Sequence, residues 1–235
     1  MDLDEGAPVG DSYALYADLN DPVFDLEITP NRGDCLGIHG IARDLAATGI
    51  GKLKPYEVPV LLQQGPCPIK VTFDIPEDKK HACPLFTGRL ISSVKNGPSP
   101  EWLQRKLLAV GLRPISALVD ITNYMTMTHC RPMHVFDLSK ISGDTLTIRF
   151  AKTDEKFLAL DEKEYTLQDS MTVITDASGP ISLAGIMGGE TTGCDESTTD
   201  VFLESAFFDP ITTALTGRKL GIHSDSRFRF ERGVD

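Results

Sequence analysis

The chain has 235 residues, with 41% hydrophobic and 24% charged side chains, an ordinary globular balance. No apolar run reaches the ~18 residues of a membrane span, and the start, Met1-Asp2-Leu3-Asp4-Glu5, lacks the basic head and apolar core of a signal peptide; a cytoplasmic protein is expected. The formal net charge of -11 argues against a chain that coats nucleic acid unaided, because such proteins are usually basic.

In chain order, Val23-Phe24-Asp25-Leu26-Glu27-Ile28 alternates apolar and acidic residues and predicts a half-buried strand. Thr29 to Asp34 breaks it. Asp34 is placed to cap a helix running to about Thr48, with Gly49 at its end and Leu36, Ile41, Ala42, Leu45 and Ala46 on one face. Residues 50–68 hold four prolines and read as a connector. Strands are expected over Ile69–Asp74 and Phe86–Val94. Ser99-Pro100-Glu101 starts a helix that Gly111 ends, with Ser99 as cap, Pro100 at the first helical position and Trp102 in the core. Further strands are expected over Leu146–Phe150, Val173-Ile174 and Val201–Glu204, with a hairpin of Phe157–Leu160 and Tyr165–Leu167 across Asp161-Glu162-Lys163. A last helix starts with Asp209 as cap and Pro210 behind it, and ends near Gly221. Many short strands with a few separated helices indicate an α+β fold with mixed, largely antiparallel sheets. The chain is read as one module over 1–235, with sub-units 1–95 and 96–235 as the alternative division.

Charge is uneven. Residues 1–31 hold eight acids and no Lys or Arg, while 217–232 hold Arg218, Lys219, Arg227, Arg229 and Arg232. That basic end reads as a solvated, salt-bridged surface, with a phosphate contact as the alternative. The five cysteines are widely spaced without a CxxC pair and read as reduced, mostly buried thiols. No GxSxG elbow, P-loop or metal-ligand spacing is present, so no metal site is expected.

Polar groups concentrate elsewhere. Val119-Asp120-Ile121-Thr122-Asn123-Tyr124 and Pro132-Met133-His134-Val135-Phe136-Asp137 gather amide, hydroxyl, imidazole and carboxylate groups among apolar residues, as a small-molecule pocket requires. Taken alone, His134 reads first as a structural histidine. In Gly188-Gly189 a tight turn and close approach of a ligand are equally open. Glu204 lies in an otherwise apolar run. If 202, 204 and 206 share a strand face, its carboxylate needs a donor, either a structural arginine or a ligand hydroxyl.

These motifs resemble the B3/B4 editing region of the bacterial phenylalanyl-tRNA synthetase beta chain. The likeness extends to Ile28-Thr29-Pro30-Asn31-Arg32-Gly33-Asp34-Cys35-Leu36, Leu183-Ala184-Gly185-Ile186-Met187-Gly188-Gly189, Leu203-Glu204-Ser205-Ala206-Phe207-Phe208 and Arg229-Phe230-Glu231-Arg232-Gly233-Val234-Asp235. The resemblance implies a module of a longer beta chain that hydrolyses tyrosine wrongly esterified to tRNA(Phe). It gives Glu204 the para-hydroxyl, His134 a place near the ester, and Thr122, Asn123 and Gly188 places in the pocket wall. Ser224 and Ser226 fall where the family commonly has threonine and alanine, a departure that bears on pocket size and polarity. Water is the expected nucleophile, with the glycine-loop N–H groups holding the oxyanion. The implied partners are the 3' end of tRNA(Phe) and the synthetase alpha chain, with no membrane or DNA. No cofactor is implied for this region; ATP and magnesium belong to the full synthetase. A module that only scaffolds the subunit or contacts tRNA, its pocket silent, is the rival reading.

Overall fold

The computed structural model describes residues 3, 5–17, 19–20, 22–61 and 65–234. Two sheets carry the fold. Strands β1 (Lys70–Asp74), β4 (Thr145–Phe150), β7 (Thr172–Asp176), β8 (Gly179–Leu183) and β9 (Met187–Gly188) lie side by side in that order. Only the β1–β4 pair is parallel; the other three pairs are antiparallel. The second sheet places β10 (Val201–Phe207) between β2 (Leu85–Ile91) and β3 (His134–Asp137), antiparallel to both. The expected hairpin forms as β5 (Lys156–Leu158) and β6 (Glu164–Thr166). The α+β class with largely antiparallel sheets holds. Strands from both sides of residue 95 pair in each large sheet, β1 with β4 and β2 with β10.

The main core lies where the sheets face each other. Phe136, Leu146, Ile148, Ile174, Phe202 and Phe208 are buried there together. A second cluster, including Phe157, Leu167, Met171 and Leu183, closes the hairpin side.

The described residues form six helices: α1 (Tyr13–Tyr16), α2 (Ile38–Ala47), α3 (Glu101–Ala109), α4 (Ala117–His129), α5 (Pro210–Leu220) and α6 (Asp225–Phe230). Helix α5 begins and ends as expected. Asp209 accepts from the Thr212 N–H at 2.7 Å, and Gly221 takes the left-handed conformation at φ 68°. Helices α4 and α6 and strands β3, β8 and β9 were not anticipated from the sequence.

Four local expectations fail. Val23–Ile28 forms no strand; Val23, Phe24 and Leu26 are exposed and no neighbouring strand satisfies the backbone. Asp34 does not cap α2, which starts behind Gly37; it lies in a 3-10 turn, Gly33–Cys35, and pairs with Arg32 at 3.0 Å and Arg43 at 2.6 Å. Ser99 does not cap α3, because its hydroxyl is bonded to the buried Asp120 instead. Trp102 is half exposed, its ring edge-on to Tyr124.

The basic end behaves as a salt-bridged structure. Arg227 and Arg229 are buried, paired with Glu231 at 3.1 Å and Asp225 at 2.8 Å, and Arg232 also pairs with Glu231 at 2.9 Å. No helix among the described residues is long and apolar enough to cross a membrane.

Candidate functional site

A cavity of about 380 Å³ opens between α4, β3, β10, the β8–β9 hairpin and the start of α6. Thr122, Asn123, His134, Gly188, Glu204, Ser224 and Ser226 all line it. Seven positions spread over more than a hundred residues of chain thus meet in one place. Its volume lies within the roughly 300–1,000 Å³ of small-molecule sites.

The centre is set by strand register. β3 and β10 run antiparallel with His134 directly opposite Glu204, so both side chains stand on one face. Phe202, Glu204 and Ala206 are buried on that same face. The carboxylate finds no arginine: Glu204 Oε2 is buried and accepts no hydrogen bond among the described residues. Burial raises the Glu204 carboxyl to about 8, so it is protonated at neutral pH. The Cys83 thiol beside it is pushed up to about 12, first by burial and then by the charge Glu204 would carry.

His134 is held by packing. Its ring meets Phe136 edge-on at 4.5 Å, and its buried Nε2 has no hydrogen-bond partner among the described residues. Burial lowers the imidazole to about 4, leaving it neutral at pH 7. Gly188 explains how the ring fits. A Cβ at 188 would stand 2.2 Å from His134 Cε1 and 2.6 Å from Nε2. The glycine is required by the histidine, not by a turn; the left-handed residue of this loop is Gly185, at φ 70°.

Two of the loop's N–H groups are committed within the hairpin. The Ile186 N–H donates to the Leu183 carbonyl at 2.9 Å and the Gly189 N–H to the Ile181 carbonyl at 2.8 Å, so neither is available to an oxyanion. The Ser224 and Ser226 hydroxyls do not simply add polarity. Ser224 Oγ donates to the Ile186 carbonyl at 2.7 Å and accepts from the Arg227 N–H at 3.0 Å, and Ser226 Oγ donates to the Gly185 carbonyl at 3.0 Å. Both serines tie α6 to the glycine loop.

Thr122 is nearly buried, and its hydroxyl donates back to the Val119 carbonyl at 2.7 Å. The other carboxylates of the two motifs are structural. Asp120 accepts from Ser99 and from the Ile115 N–H, anchoring the start of α4. Burial pulls Asp137 upward, but the Ser139 and Thr198 hydroxyls outweigh it and hold the group below the usual range. Neither lines the cavity. Leu160, Ser182, Cys194 and Asp225 do line it, and sequence reasoning missed them. Burial pushes the Cys194 thiol up to about 11, which disfavours it as a nucleophile. Among the described residues no Lys or Arg lines the cavity.

Among the described residues one group, Asp34, Cys35 and Asp44, has metal-ligand atoms within 4.8 Å of one another. The Arg32 guanidinium bonds all three, at 3.0, 2.8 and 2.7 Å, and supplies the positive charge there.

The B3/4 domain family model matches residues 82–235. The phenylalanine–tRNA ligase beta subunit of Mesorhizobium japonicum is 57% identical over 235 residues, covering 100% of this chain and 29% of the relative. That of Gluconobacter oxydans is 56% identical over 234 residues, covering 100% and 28%. The chain therefore spans less than a third of the length of these curated relatives. Among solved structures, an N-terminal fragment of the phenylalanyl-tRNA synthetase beta subunit from Pyrococcus horikoshii is similar with a TM-score of 0.44 and 20% identity, over 82% of this chain and 58% of that one. The chain belongs to the B3/4 domain family, in the form that phenylalanine–tRNA ligase beta subunits carry.

Proposed function

We propose that this chain is an ester hydrolase that removes tyrosine wrongly attached to tRNA(Phe). The observation that carries this reading is the buried, unpartnered Glu204 carboxyl in the cavity wall. Tyrosine differs from phenylalanine by one hydroxyl, which an apolar pocket rejects only weakly. A site that demands the hydroxyl reverses the preference. A protonated Glu204 can both donate to and accept from a phenol oxygen. With phenylalanine bound it is left unpaired, at a cost of about 1–3 kcal/mol.

Water attacks the ester carbonyl carbon, the bond to the ribose oxygen breaks, and that oxygen takes up a proton. Free tyrosine and an uncharged tRNA result. Neutral His134, with its buried Nε2, suits the ordering of water or of a ribose hydroxyl rather than strong base catalysis. Thr122 and Asn123 also line the cavity and help hold the ester, so orientation supplies much of the rate. In this reading the chain works beside the ligase alpha chain. ATP and magnesium serve the ligation, and the hydrolysis needs neither.

Hydrolysis of tyrosyl-tRNA(Phe) and phenylalanyl-tRNA(Phe) by the chain and by Glu204→Ala tests the reading. High protein concentration is needed, because a net charge of -11 supplies little attraction for phosphates. Loss of tyrosyl selectivity in Glu204→Ala is expected. Hydrolysis of neither ester above the uncatalysed rate with the unaltered chain, in isolation and within the full ligase, would favour a silent scaffold.

A further inference from the structure

A second, open cavity of about 420 Å³ adjoins the first, and Ser224 and Asp225 belong to the walls of both. His223, Arg227, Phe228 and Glu231 complete its lining. We propose that this outer cavity receives the terminal nucleoside whose ribose carries the ester, with the base stacked on Phe228. The inference deepens the hydrolase reading and rests on it.

Phe228 faces outward from α6. Phe230, two residues on, is 3% exposed and packs on Phe208, whereas Phe228 is 43% exposed. Its ring is nevertheless held, because the Arg232 guanidinium lies 3.7 Å from the ring centroid. A fixed, exposed aromatic face backed by a cation is a stacking platform for a base.

The charges in this wall are committed to one another. Arg227 pairs with Glu231 at 3.1 Å, and Asp225 with Arg229 at 2.8 Å. The lining therefore favours a neutral ring and a sugar over a phosphate. The shared wall supplies the remaining constraint. An aminoacyl ester joins two bulky groups through one short link, so its site needs two chambers meeting at a narrow partition. With the amino acid over Glu204 and the base on Phe228, the ester crosses at Ser224 and Asp225.

The test is a binding series on the 235-residue chain. The ligands are tyrosinamide, phenylalaninamide, adenosine, and the stable amide analogue in which a 3'-amino-3'-deoxyadenosine carries tyrosine. The analogue is expected to bind at least about tenfold more tightly than tyrosinamide. Phe228→Ala should remove about tenfold of that advantage, within the range of a single base stack, and Phe228→Trp should restore it. Equal affinity of analogue and tyrosinamide, or an advantage that survives Phe228→Ala, overturns the nucleoside site. Tyrosinamide against phenylalaninamide separately tests the Glu204 reading. If neither amide binds, adenosine alone decides: shifts of the Phe228 ring signals on titration uphold the outer site, and their absence overturns it.

Discussion

Glutamine at 204 keeps the shape of the buried side chain and removes its titration, so Glu204→Gln isolates what the carboxyl costs the fold. Burial raises this group from its ordinary 4.5 to about 8. As pH rises, the unfolded chain ionises it first. This residue's contribution to stability is highest below about pH 4.5, falls between about 4.5 and 8, and levels off above. Each unit in that window is worth up to about 1.4 kcal/mol. Between about pH 5 and pH 8 the unaltered chain should lose roughly 3–4 kcal/mol through this residue alone, a large share of the ~5–15 kcal/mol of a typical domain. The glutamine variant should lack that slope. Urea unfolding of both chains at about pH 5, 6.5 and 8 reads the difference, and other titrating groups cancel in the comparison. If both chains show the same pH slope, Glu204 titrates as an exposed glutamate. Its protonated state at neutral pH would then be refuted, together with the hydrogen bond it would donate to a phenol.

His134 is lowered from 6.5 to about 4, so the unfolded chain gains a proton that the folded one refuses; its contribution is present above about pH 6.5 and is lost as pH falls toward 4. The hydrolysis rate should therefore show no histidine inflection between about pH 5 and 7, while His134→Ala lowers it about tenfold or more. Gly188→Ala sets a methyl against the His134 ring and should cost roughly 1–3 kcal/mol in thermal melts, with loss of hydrolysis. Ser226→Ala removes one hydrogen bond to the Gly185 carbonyl and should cost about 1 kcal/mol. Ser224→Ala loses both a helix cap and a loop contact and should cost about 1–2 kcal/mol, with Ser224→Thr recovering most of it in the same unfolding assay.

Elements with strong local chemistry were legible. Helix α5 carries its stop and start in Asp209, Pro210 and Gly221, and β4 alternates cleanly. Helix α4 was hidden by its own composition. Its buried residues are Asp120, Thr122 and Thr126, so no apolar stripe marks the packed face. Its threonines disguise it further. Thr122, Thr126 and Thr128 favour strands by propensity, yet here each hydroxyl donates to a carbonyl three or four residues back. Val23–Ile28 shows the opposite error: the alternation is real, but a strand needs a neighbour and the fold supplies none.

The identities of the site residues were readable from ordered motifs; their chemistry was not, because it depends on register. Glu204 is opposite His134 on one side and opposite Gly88 on the other. A Cβ at Gly88 would stand 2.1 Å from the Phe202 Cζ, so the absent side chain is what lets the phenyl ring lie across β2. A slip of one residue would bring Thr87 or Arg89 to that place, and either Cβ would strike the ring. The Gly88–Phe202 contact thus fixes the pairing that buries Glu204, and burial is the cause that raises its carboxyl. A glycine outside the cavity lining and distant in sequence therefore helps set the protonation state of the proposed recognition group.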